Sequence, residues 1–286
     1  VEDGSFNIDS SDDSIHTNDS IVINGGSFTI ASGDDGIHAD TTLDINGGTI
    51  DIIKSYEGLE STTITINDGT IHLIASDDGI NAAGGNDGSA MNGRPGQNNF
   101  SSTSGMIYFN GGYVYVNASG DGLDANGSIE MSGGTVIVDG PTDGGNGALD
   151  YDATFNISGG LLIASGSNAM LQTPSSSSSQ NTIVVSSNTS SHTLVNIQDS
   201  TGTDLITYAP SKSSQVIMIS SPEFKTGETY TISTGGTSTG TEIDGLYKGG
   251  SYSGGSNVAT LTISSSITSN GNLNNGMGGP GGMGRP

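Results

Sequence analysis

The chain has no cysteine and no tryptophan, very few basic residues and no long apolar run. Without cysteine there is no disulfide, no thiolate metal site and no thiol nucleophile. Only 6 Lys and Arg stand against 30 Asp and Glu, a formal net charge of -24. A surface of that sign repels DNA, RNA and anionic lipid, and leaves cations, neutral polymers and basic surfaces as partners. No stretch is apolar enough to span a membrane as a helix. Helical periodicity, a P-loop, a dinucleotide fingerprint and a GxSxG serine motif are all missing. Val1 falls inside a repeat, so the chain reads as a mature fragment from which a signal peptide has been removed.

What is abundant is glycine, 47 residues, and it recurs on a beat. Turn glycines fall at Gly4, Gly26, Gly48, Gly69, Gly112, Gly134 and Gly160. Aliphatic landmarks at Ile15, Ile37, Leu59, Ile80, Leu123, Leu149 and Met170 keep the same rhythm. Most steps are 21 or 22 residues, as from Gly4 to Gly26, and a period in the range of about 20–50 residues marks a solenoid. Between landmarks apolar residues alternate, as in "TLDIN" and "GTIDI", which is the pattern of short strands. The expected fold is an all-β, right-handed parallel β-helix of about 22 residues per coil. Each coil holds three short strands.

In that register Ile21 and Ile23 stack inward with Leu43 and Ile45, and Phe28 and Ile30 stack with Ile50 and Ile52. Asn24, Asn46, Asn67 and Asn110, with Ser132 and Ser158, form a column expected to be an internal polar ladder supporting the turns. The regular β-helix is expected over 1–172. An irregular β continuation or cap follows over 173–268, with a small β-sandwich beside the helix as the other arrangement. A Gly-rich flexible tail occupies 269–286. Residues 83–104, which include Arg94, interrupt the beat as a loop or an irregular coil, and 139–147 form a smaller insertion.

An acidic column runs through Asp13, Asp35, Glu57, Asp78 and Asp121, flanked by Asp12, Asp34 and Asp77. Carboxylates about 4.8 Å apart repel unless something compensates. Calcium, a hard ion that takes carboxylate and carbonyl oxygens, would serve as a structural cofactor there. Turn aspartates that simply cap backbone N–H groups explain the same pattern. His16, His38, Glu60, Asn81, Asp124 and Asp150 occupy the place just past the inward aliphatic. The two histidines read as a stacked surface pair, because no third ligand has a convincing spacing for a transition metal.

Chemistry has little support. Lys54, near Asp34, Asp35 and Glu57, is the base a calcium-dependent polysaccharide lyase would need. The carboxylates are too many and too alike to single out a hydrolase pair. Binding has more support. Tyr113 and Tyr115 point outward from one coil beside columns that hold Asp51 and His72, and outward aromatics suit sugar rings. Contact with the 83–104 insertion would explain the same two tyrosines. Tyr56 and Tyr151 are further candidates.

"SDDSIHTNDSIVINGGSFTIASGDDGIHADTTLDINGG" at 11–48, "ASDDGINAAGG" at 75–85, "SPEFKTGETYTISTGG" at 221–236 and the terminal "NNGMGGPGGMGRP" together resemble a bacterial family of carbohydrate-binding domain-containing proteins. The likeness spans nearly the whole chain. It implies a secreted or cell-surface parallel β-helix protein whose partner is a polysaccharide or cell-wall glycan, attached in some cases to fibre-degrading machinery. It brings no catalytic residues. The expected function is non-catalytic polysaccharide binding, with a calcium-dependent lyase and a structural or adhesive stalk as the alternatives.

Overall fold

The computed structural model describes residues 1–83 and 105–271. Every regular element among them is a strand. The first part is a β-solenoid of about six turns with roughly 22 residues per coil. Two parallel sheets make its walls. One stacks Ser5–Asp9, Ser27–Ala31, Thr49–Ser55, Thr70–Ala75, Tyr113–Ala118, Thr135–Asp139 and Leu161–Gly166. The other carries the remaining two strands of each coil, which fuse into the single strands Ile37–Ile45 and Leu59–Ile66.

The register follows the repeat. Phe28 lies over Ile50 and Ile30 over Ile52, and these four side chains are buried. The inward columns form one continuous core along the solenoid axis, with Phe6 and Phe28 stacked at a centroid distance of 4.7 Å. The beat fades at its last landmark, where Met170 is exposed and Leu171 takes the inward place. Two glycine positions show why the repeat keeps this residue. Gly48 has φ of 93°, in the left-handed region that favours glycine. At Gly79 a Cβ would lie 2.3 Å from Val116 Cγ1 of the next coil.

The strands that flank the first insertion stay in register. Thr70 pairs directly with Tyr113, and Ile80 with Leu123, across a sequence gap of nearly two periods. The flanking strands thus keep their register, and the loop or irregular coil expected over 83–104, Arg94 included, lies outside the described residues from 84 on. The asparagine ladder forms: Asn46 Nδ2 donates to Asn24 Oδ1 (2.8 Å), Asn67 to Asn46 (2.7 Å) and Asn110 to Asn67 (2.8 Å). It lies on the exposed outside of the turn, not inside, and Ser158 leaves it to donate to a backbone carbonyl.

Beyond the solenoid both expected arrangements occur together. Ser214–Ser220 joins Leu161–Gly166 antiparallel, and Thr182–Thr189 and Ile267–Ser269 follow, so the first sheet continues. A separate antiparallel sheet of six strands, in the order Thr241–Ile243, Leu246–Lys248, Asp204–Tyr208, Val195–Gln198, Thr229–Thr234, Ser256–Thr262, lies across the outer face of that extended sheet. A second core fills the space between them. Outward-facing Ile137 and Ile163 meet Val195, Ile197, Tyr208 and Ile232 there.

Candidate functional site

The same outward column is open at one end and covered at the other. Ser27, Thr29 and Thr49 are exposed on the early coils, whereas Ile137 and Ile163 are fully buried under the C-terminal sheet. Tyr113 and Tyr115 stand at the boundary. Both are partly buried and pack against the second core.

A hairpin builds the other wall. Thr241–Ile243 and Leu246–Lys248 pair antiparallel around Asp244 and Gly245, whose φ angles are 49° and 78°. Two successive residues with positive φ are the signature of a tight Asp-Gly hairpin turn. Glu242 Oε1 accepts the Gly245 N–H at 2.6 Å and steadies the tip. The tip aims Asp244 at the solenoid, where Tyr113 donates its hydroxyl to Asp244 Oδ2 and His72 Nε2 donates to the same oxygen, each at 2.8 Å. His72 lies 5.8 Å from the Tyr113 ring and 6.1 Å from the Tyr115 ring, and Lys248 Nζ sits 5.7 Å from the Tyr113 centroid. Burial raises the Tyr113 hydroxyl well above its ordinary value, and the Asp244 carboxylate adds to the rise.

The result is a cleft of about 480 Å³ lined by Tyr115, His192, Ser211, Glu242, Asp244 and Tyr247, among others. It offers ring faces, hydroxyls and carboxylates, the groups that engage sugar rings and their hydroxyls. The Tyr115 hydroxyl is already held by Asp139 (3.0 Å). Asp139 also accepts from Ser165 Oγ (2.8 Å), the Ser211 N–H (3.1 Å) and the Tyr208 hydroxyl, so one buried carboxylate fastens the C-terminal sheet to the solenoid. Lys212 donates to the Ala118 carbonyl at 2.6 Å, and burial pulls its ammonium down to about 8.

Of the expected sugar-binding residues, Tyr113, Tyr115 and His72 come together, and Asp51 lies beside His72 on the next strand of the open face. Tyr56 stands elsewhere, at the acidic corner, where hydrogen bonding to Asp77 raises its hydroxyl. Tyr151 packs edge-on against Phe155 and donates to the Thr173 carbonyl (2.7 Å), away from the cleft. Lys54 is exposed and forms no ion pair among the described residues. Asp244, Tyr247 and Asp139 were not singled out from sequence. The "DG" of "EIDGLYK", between short strands, is the signal that would have marked the hairpin.

The acidic column forms a ladder from coil to coil. Asp13 Oδ1 accepts the Asp35 N–H (3.0 Å), Asp35 Oδ1 the Glu57 N–H (3.2 Å), Asp78 Oδ1 the Asp121 N–H (2.6 Å) and Asp121 Oδ1 the Gly147 N–H (2.5 Å). The capped backbone thus belongs to the next coil. Three residues further on, the second column faces the first. Asp78, Asp121 and Asp124 meet at one corner, and Asp13, Asp35, His38 and Glu60 at another. Asp12, Asp13 and Asp34 form a third group, half-open to solvent, while Glu57 takes a hydrogen bond from Asn81 (2.9 Å).

Charge accumulates on these corners. Burial pushes Asp124 up to about 8 and Asp78 up to about 7, and neighbouring carboxylates reinforce both shifts. Burial pushes Asp121 up to about 6 against the pull of the Gly147 N–H, and Asp35 likewise to about 6. Burial acts upward on Asp13 too, but the imidazoles of His38 and His16 outweigh it and hold the carboxyl down at about 2. The two histidine rings are neighbours at 4.7 Å but are tilted by 49° and not stacked, and only His16 is at the surface. His38 is completely buried, so its surface placement is corrected.

Residues 1–36 match the family model described as carbohydrate-binding domain-containing protein. No curated protein and no solved structure matches the chain. The matched segment holds the first turn of the solenoid and the Asp12–Asp13 and Asp34–Asp35 corners, and stops before His38 and the tyrosine cleft. Over that segment the chain is similar to carbohydrate-binding domain-containing proteins.

Proposed function

We propose that the chain is an extracellular, non-catalytic polysaccharide-binding module. Its glycan lies on the open strip of Ser27, Thr29, Thr49, Asp51 and Thr70, passes Tyr113 and ends in the cleft at Tyr115 and Tyr247. The observation that carries this reading is the cleft itself. Half-exposed aromatic rings stand beside Asp244 and His72, held in place by the hairpin turn, where an open hydroxyl-rich face meets a covered one. The family match over the first coils supports a carbohydrate partner. Location at the cell surface, and attachment to fibre-degrading machinery, follow from where such polymers are found. Calcium is the structural ion we assign to the oxygen-only corner of Asp78, Asp121 and Asp124, where three half-buried carboxylates face one another.

A glycan panel run with and without Ca²⁺ tests the reading. Tyr247 lines the cleft and lies outside the second core, so Tyr247→Ala is expected to leave thermal unfolding in place while weakening binding about tenfold, the worth of one stacked ring. Binding unchanged in Tyr247→Ala and Tyr113→Phe would move the site elsewhere. A panel with no binder at all would leave a rigid stalk as the function.

A further inference from the structure

His38 presents an unusual environment. Its ring is completely buried, and neither nitrogen has a hydrogen-bond partner. A buried polar group without a partner is costly, and one in a folded chain calls for an explanation. Three carboxylate oxygens nevertheless surround Nδ1: Glu60 Oε2 at 3.3 Å, Asp13 Oδ2 at 3.4 Å and Asp35 Oδ2 at 3.6 Å. All three side chains are at least nine-tenths buried.

Those separations are long and badly aligned for hydrogen bonds. They fit another geometry. Nitrogen and oxygen donors that sit about 2.0–2.2 Å from one tetrahedral ion are about 3.3–3.5 Å from each other. The carboxylates are also half-committed in a useful way. Asp13 and Asp35 each give Oδ1 to the backbone N–H of the next coil, which fixes the plane of the group and leaves Oδ2 toward His38. Around this set stand two outer groups. His16 Nδ1 donates to Asp13 Oδ2 at 2.6 Å, and Asp40 Oδ1 faces the other ring nitrogen of His38 at 3.4 Å. An outer carboxylate at the second nitrogen of an imidazole is the usual support for a metal-bound histidine.

We propose that this corner binds one divalent transition ion of the zinc class through His38, Asp35 and Glu60, whose ligand atoms all lie within 4.8 Å of one another, with Asp13 as a neighbouring carboxylate outside the shell. Charge and donor type both favour such an ion. One imidazolium would offset a single carboxylate of three, whereas a divalent ion offsets two. Calcium takes six to eight oxygen donors and gains little from imidazole, while first-row ions such as zinc bind a mixed nitrogen and oxygen set. The ion would tie two successive coils together beside Asp13 of the coil before, at a site distinct from the tyrosine cleft and independent of the sugar-binding reading.

The test is a Zn²⁺ titration of the chelator-treated, full-length chain against a competing indicator. One equivalent should bind, a large excess of Ca²⁺ should not displace it, and Co²⁺ should give the intense visible absorption of a four-coordinate centre. His38→Gln is expected to weaken Zn²⁺ binding about a hundredfold or more, and His16→Gln, which removes only an outer partner, about tenfold. Glu60→Gln keeps the imidazole and the size of the side chain, and should also weaken binding, so a folding defect in His38→Gln would not decide the matter. No Zn²⁺ uptake by the folded chain would make His38 an imidazolium paired with its carboxylates and overturn the proposal. So would uptake that both His38→Gln and Glu60→Gln leave unchanged, or the weak absorption of a six-coordinate Co²⁺ ion.

Discussion

The outward column Thr29, Asp51, His72, Tyr115, Ile137, Ile163 belongs to one sheet but lives in two environments. On the early coils it faces solvent and carries small polar residues. On the late coils it is the floor of a second core. The backbone ladder is the same throughout, so the difference comes from what covers the face. A solenoid wall is a neutral platform, and side-chain polarity decides whether it is left open for a ligand or closed by another sheet. The aromatic coil between the two regimes is amphipathic in the sense that suits a boundary: apolar ring against the second core, hydroxyl toward Asp244 or Asp139.

This contrast is open to direct attack. Asp139→Ala strikes the covered half hardest. It strips a buried acceptor from Tyr115, Tyr208, Ser165 and the Ser211 N–H, and is expected to cost about 3–5 kcal/mol. Urea unfolding should then show the C-terminal sheet detaching before the solenoid melts. A single coincident transition at the parent midpoint would refute the role of Asp139 as fastener. Ile137→Ala opens a cavity in the second core and should cost ~3 kcal/mol, whereas Asp51→Ala three coils away in the same column should change stability by less than ~0.5 kcal/mol. Equal effects at the two sites would erase the distinction between open and covered halves.

The acidic corners give a smaller, pH-dependent effect. Asp78, Asp121 and Asp124 hold protons more tightly in the folded chain than the ordinary carboxyl near 4, with raised values of about 7, 6 and 8. Groups shifted upward contribute stability below their unfolded value and lose it as pH rises through the folded one. In the presence of chelator, the melting temperature should therefore fall steadily from about pH 4 to about pH 8. Asp124→Asn should flatten that slope and stabilise the chain at pH 8 by ~1–2 kcal/mol. A melting temperature that rises over the same interval would show that these carboxylates are not strained by burial. The exposed asparagine ladder gives a small effect as well. Asn46→Ala breaks two solvent-facing hydrogen bonds and should cost no more than about 1 kcal/mol, read as a small shift in the urea midpoint.

The solenoid was legible because its signal is redundant. Gly48 and its counterparts fix the turns, Ile50 and Ile52 fix the inward face, and each statement is repeated in every coil. The C-terminal sheet says its part once. Its antiparallel order depends on contacts between segments far apart in sequence, such as Thr229–Thr234 with Ser256–Thr262, and no period announces them. Even so, the column itself held a clue. The change from Thr29 and Asp51 to Ile137 and Ile163 at outward positions is the mark of a face that will be covered. The tyrosines and His72 were found because they share a strand face, but Asp244 reaches them from 172 positions along the chain beyond His72. At the corners, the D-x-x-H spacing of Asp13 with His16 and Asp35 with His38 was visible. Glu60 was in the same column, but its approach to His38 at 3.3 Å could be read only from the stacking of the coils.

One detail of the stacking has a wider reach. Ile80–Ala82 and Met106–Phe109 both pair with Leu59–Ile66, so residues 83 and 105 stand on the same rung, in the coil that carries Tyr113 and Tyr115. Both mooring points are fixed by ladders on either side, and closing a longer segment between fixed ends costs only a slowly growing entropy. The pairing on either side of that gap keeps its register, so a single coil tolerates an interruption there without a shift in the rungs above or below it.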